Sequence, residues 1–84
     1  MKMATKQDIL IWFLKGRDTL KATHMIIVCD TFEWEDYPVY VSSMQNVHEQ
    51  VVLFDGSNMQ KVMEIYDLSK DISTQLDEYR SFNY

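Results

Sequence analysis

The chain has almost no cysteine, proline or glycine, and each shortage excludes something. One cysteine, Cys29, among 84 residues rules out an internal disulfide and gives no thiolate set for a structural zinc site. One proline and two glycines leave few helix or strand breakers, so most of the chain is expected in regular elements. Long apolar runs are also missing. The longest, Ile9–Leu14 and Met25–Cys29, are far too short to cross a bilayer, and no apolar run leads to a small-residue cleavage site. A soluble, cytoplasmic protein with no membrane partner is the expectation. There is no Gly-rich phosphate loop and no nucleophile elbow.

Positive charge is scarce and segregated. Lys and Arg number 8 against 13 Asp and Glu, for a net charge of −5. Residues 1–23 carry +3, and residues 24–84 carry −8. The long acidic part repels nucleic-acid phosphates and attracts basic surfaces, which argues against a nucleic-acid partner. Ordinary surface solubility explains the same charge without any partner. The hydrophobic fraction of 46% and aromatic fraction of 13% suffice for one small packed core, so residues 1–84 read as a single domain.

The stretch from Thr23 to Val41 organises the rest. Met25–Cys29 is continuously apolar and mostly β-branched, the pattern of a central strand covered on both faces. Thr31–Asp36 is polar and irregular and reads as a six-residue connection. Tyr37–Val41 is a second strand, and Pro38 puts it at an edge because proline lacks a ladder donor. Upstream, Thr5 with Asp8 has capping-box spacing, and Ile9, Trp12 and Phe13 share a helical face that Gly16 should end. Leu20 is a candidate to pin the following connection to the core. Downstream, Ser42 or Ser43 could cap a second helix carrying Met44, Val47, Val51 and Phe54. Val51–Phe54 as a strand is the competing reading. Met59–Asp67 fits a third strand. Ile72, Leu76 and Tyr79, extended by Phe82, form the stripe of a last helix, with Ser69 as a cap.

The fold class is therefore α+β, in the order α-β-β-α-β-α. A right-handed crossover through the second helix sets strand three beside strand one, giving a three-stranded antiparallel sheet in the order 2-1-3.

Asp30, Glu33, Glu35 and Asp36 place four carboxylates within seven residues, interleaved with Phe32, Trp34 and Tyr37. These seven residues are the candidate binding site. Acid with aromatic anchors suits a basic protein surface. The carboxylates also suit a hard cation, although the spacing lacks the alternation and glycine of an EF-hand. The third reading is a solvated hairpin whose aromatics fold back on the sheet. Cys29 sits in an apolar run, five positions from His24 and on the opposite strand face, so it reads as a core residue and not as a nucleophile. His24 and His48 match no zinc spacing. No catalytic residue, metal site or cofactor is assigned.

The segment Ala22-Thr23-His24-Met25-Ile26-Ile27-Val28-Cys29-Asp30-Thr31-Phe32, followed by Glu35-Asp36-Tyr37-Pro38-Val39-Tyr40-Val41, resembles a family of small phage and bacterial proteins. Asp55-Gly56, Asn58-Met59-Gln60 and Val62-Met63-Glu64 are similar to it as well, so the likeness runs from about Ile9 to Tyr84. The resemblance implies a small accessory protein of the kind that phages encode, and brings no activity, cofactor or site residue with it. The expected function is a non-enzymatic binding protein that engages a host or partner macromolecule through the acidic aromatic loop. The alternative is a protein that binds or sequesters a nucleotide or divalent cation. A homodimer through the edge of strand two or strand three is a further expectation.

Overall fold

Five consecutive residues, Met25 to Cys29, are buried, and they lie in the middle of the sheet. The computed structural model describes residues 3–56, 58–78 and 81–84. Strand β1 is His24–Asp30, β2 is Glu35–Val41 and β3 is Gln60–Asp67. Both β2 and β3 run antiparallel to β1, in the order β2-β1-β3. Helix α1 is Lys6–Leu14, α2 is Val47–Phe54 and α3 is the short Ile72–Leu76. The fold is α+β with the expected element order and strand order.

Alternation along β1 sends side chains to two separate cores. Met25 and Ile27 join Ile9, Phe13, Tyr66 and Leu68 beneath α1 and α3. Ile26 and Val28 join Val41, Val62 and Ile65, and Val47, Val51 and Phe54 of α2 pack against them. A strand roofed on both faces must be apolar throughout, as this one is.

Helix α1 starts as its sequence dictates: Asp8 N–H donates to Thr5 Oγ1 and Thr5 N–H to Asp8 Oδ2, both at 3.1 Å. Gly16 does not end it. The chain continues as a π-helical turn over Lys15–Thr19 and leaves through Lys21, whose φ is +55°. Gly16 is needed for proximity: a Cβ there would lie 2.5 Å from the Tyr40 ring. Tyr40 also donates its hydroxyl to Trp12 O at 2.8 Å, so helix and edge strand are pressed together. Leu20 is exposed and pins nothing.

Val51–Phe54 is helical, but α2 begins later than expected. Asn46 is its N-cap, accepting from Glu49 N–H at 3.2 Å, and Met44 lies in the preceding turn, 93% exposed. Gly56, at φ +81°, follows the helix. Strand β3 carries a bulge. Ile27 faces Glu64 and Val28 faces Val62, so Met63 is an extra residue. Helix α3 is capped by Asp71 rather than Ser69 and stops at Leu76. The stripe expected to reach Phe82 is broken, and Tyr79 lies outside the described residues. Phe82 instead bridges β3 in parallel: Ile65 N–H donates to Ser81 O at 2.8 Å and Asn83 N–H to Ile65 O at 2.9 Å. The outer edge of β3 is thus occupied there, and that of β2 adjoins no other strand among the described residues.

Candidate functional site

The acidic aromatic stretch forms the tip and flanks of the β1–β2 hairpin. The connection is four residues, Thr31–Trp34, because Asp30 and Glu35 already pair across the strands. Asp30 builds the turn. Its Oδ1 accepts from Phe32 N–H at 2.8 Å and Glu33 N–H at 3.4 Å, and its carbonyl accepts from Trp34 N–H at 2.6 Å. This side chain-to-backbone bonding is what aspartate does best in tight turns. Trp34 closes the turn at φ +58°, a left-handed conformation that bulky residues rarely adopt.

The aromatics do not fold back onto the sheet. Phe32 is 71% exposed and Trp34 is 54% exposed. Tyr37 alone is half-buried, packed against the α2-side core, with Gln60 Nε2 donating to its hydroxyl. Burial, chiefly, pushes its phenol pKa up.

The four carboxylates part company. Strand alternation puts Asp30 and Glu35 on the α2 side and Asp36 on the α1 side, while Glu33 stands at the tip. Asp36 also has a structural task, since its Oδ2 accepts from Ala4 N–H at 2.9 Å and ties the N-terminal segment to β2. Among the described residues, no three His, Cys, Asp or Glu side chains converge as a metal-binding group.

A second loop abuts the tip. Thr31 N–H donates to Met59 O at 2.8 Å, joining the hairpin to the α2–β3 turn. Asn58 and Met59 have φ of +53° and +59°. Three of the four described non-glycine residues with positive φ therefore lie at this end of the sheet. Such strain, about 1–3 kcal/mol per residue, gathers at functional surfaces when the fold over-determines it. Sequence inspection missed Met59, because a lone methionine beside a turn carries no signal of its neighbours.

On the α1 side a cavity of about 190 Å3 opens beneath Trp34, lined by Met3, Cys29, Asp36, Lys61 and Met63. Cys29 forms its floor, 7% exposed. Burial raises the thiol pKa, and the neighbouring Asp36 and Asp30 carboxylates raise it further against the pull of Lys61. The thiol is thus held protonated. His48 stacks on Tyr84, with ring centroids 4.3 Å apart. His24 Nδ1 lies 3.1 Å from Thr23 Oγ1, and its Nε2 is buried with no hydrogen-bond partner among the described residues. At the opposite end of the sheet a second cavity, about 450 Å3, is lined by Arg17, Lys21, Thr23, His24, Asp67 and Ser69, among others.

Comparison with protein-family models, with curated proteins and with solved structures finds no match to this chain. No helix among the described residues is long and apolar enough to cross a membrane.

Proposed function

We propose that the protein is a non-enzymatic accessory protein that acts in the cytoplasm and engages a basic partner protein through the hairpin end of its sheet. One observation carries this reading. Two large aromatics, Phe32 and Trp34, stand in solvent on a turn pinned by Asp30, with Glu33 and Glu35 exposed beside them. Exposed aromatics on a rigid support lose little conformational freedom on binding and supply most of the energy of an interface. The carboxylates steer a basic surface toward them. A phage or bacterial accessory role accords with the sequence resemblance.

The test is capture from lysate with the Glu33→Lys/Glu35→Lys protein as control. Asp36 is left intact, because it holds the N-terminal segment. The expected outcome is a stoichiometric partner retained by the native protein and lost by the charge-reversed one. A partner retained equally by both would remove the hairpin end as the binding surface.

A small-ligand protein is the second reading. It is favoured by the cavity at the opposite end, whose 450 Å3 lies within the roughly 300–1,000 Å3 of ligand pockets and whose wall carries Arg17, Lys21 and His24. Thermal shift against a nucleotide panel checks it; unchanged melting across the panel would end it.

A further inference from the structure

We infer that the cavity beneath Trp34 receives a single aliphatic side chain from a basic segment of the partner. The inference rests on the reading of the hairpin end as an interaction surface and adds the anchor that surface would use.

Two departures from regular structure and one long-range hydrogen bond converge on this cavity. Trp34 takes its left-handed conformation, and its indole forms one wall. The bulge in β3 makes Met63 the extra residue, and Met63 lines the cavity too. Bulges commonly re-aim a side chain toward a site in this way. The hydrogen bond from Ala4 N–H to Asp36 fixes the segment that brings Met3 to the rim.

Size and chemistry then select the occupant. Ligand pockets for nucleotides and cofactors run to roughly 300–1,000 Å3. A cavity of about 190 Å3 falls below that range and suits one side chain. Two thioethers, a protonated thiol and an indole form a soft, adaptable lining for an aliphatic group. Of the charged residues, Asp36 and Lys61 lie in the lining itself, Glu33 and Glu35 stand exposed at the hairpin end beside it, and Asp30 and Glu35 belong to the opposite face. A segment that crosses the hairpin end to reach the cavity passes the exposed Glu33 and Glu35, so the residues flanking the anchor are basic.

The probes are two pentapeptides, acetyl-Lys-Arg-Leu-Arg-Lys-amide and the same peptide with alanine replacing leucine, titrated into the 15N-labelled protein. The leucine peptide is expected to move the amides of Cys29, Asp36, Lys61 and Met63 and the indole N–H of Trp34. It should bind on the order of tenfold more tightly than the alanine peptide, the fold-change for burying one such side chain. Trp34→Gly supplies the control, since glycine is at ease at φ +58° and removes the wall without straining the turn. In that variant the preference for leucine should collapse. Equal binding of both peptides to the native protein would overturn the inference, as would a leucine preference that survives Trp34→Gly, or no shift with either peptide. Equal binding that disappears in the Glu33→Lys/Glu35→Lys protein would leave the broader interaction reading standing. Leucine-selective binding that persists there would instead defeat the electrostatic part of that reading.

Discussion

Gly16 shows how much one missing methyl can matter. Its hydrogen stands where a Cβ would be 2.5 Å from Tyr40 Cε1 and 3.0 Å from Leu68 Cδ1. Gly16→Ala should therefore destabilise the fold by about 1–3 kcal/mol, the usual cost of overpacking, even though alanine is the better helix former. Urea denaturation reads this as a lower midpoint with an unchanged slope. Tyr66 is buried and donates its hydroxyl to Glu64 Oε1 at 3.1 Å. Burial first, and then the Glu64 charge, push its pKa well above the ordinary 10.0. A phenol whose folded-state pKa is raised contributes stability that is complete below its unfolded value and lost as pH rises beyond it. Stability should fall above about pH 10, and the Tyr66 phenolate absorbance should appear only with unfolding. Tyr66→Phe should flatten that alkaline decline.

Among the elements, α3 is held by an unusual device. The Gln75 side chain accepts from Asp67 N–H at 2.7 Å and donates to Asp67 O at 2.9 Å, so an amide takes the place of a neighbouring strand at the end of β3. Gln75→Ala should cost about 1–3 kcal/mol for each backbone group left buried and unpaired. Gln75→Glu should cost more near neutral pH, because a carboxylate cannot donate to Asp67 O; thermal melts of the two variants give the comparison. A glutamine in an otherwise polar stretch reads as solvent-facing, so this role was invisible in the sequence. The sheet was legible for the opposite reason. Five apolar residues at Met25–Cys29 admit only a doubly covered strand, and Pro38 admits only an edge. The candidate site was legible in composition but not in geometry. Whether Glu35 and Asp36 belong to loop or strand depends on where pairing starts, and that is set by the Asp30 turn. Gly16 was misread because glycine serves helix ends and close contacts alike. The tail pairing at Ile65 leaves no periodic trace.

Taken whole, the molecule has two cores on either side of one shared strand. Neither helical layer can detach without exposing β1, so unfolding should be a single cooperative event. Trp12 lies in α1 and Trp34 in the hairpin turn. Fluorescence of each tryptophan alone, in Trp12→Phe and Trp34→Phe proteins, should give urea transitions that coincide with the far-ultraviolet circular dichroism of the same protein. The two edges of the sheet are unequal: Ser81–Asn83 occupy one at Ile65, and Pro38 lies along the other. Each edge thus carries an obstacle to strand addition, the tail on β3 and a residue without an N–H donor on β2. A strand adding along β2 would meet a position with no N–H at Pro38, and one adding along β3 would meet the tail at Ile65. Both obstacles work against the edge-to-edge pairing by which sheets grow into polymers.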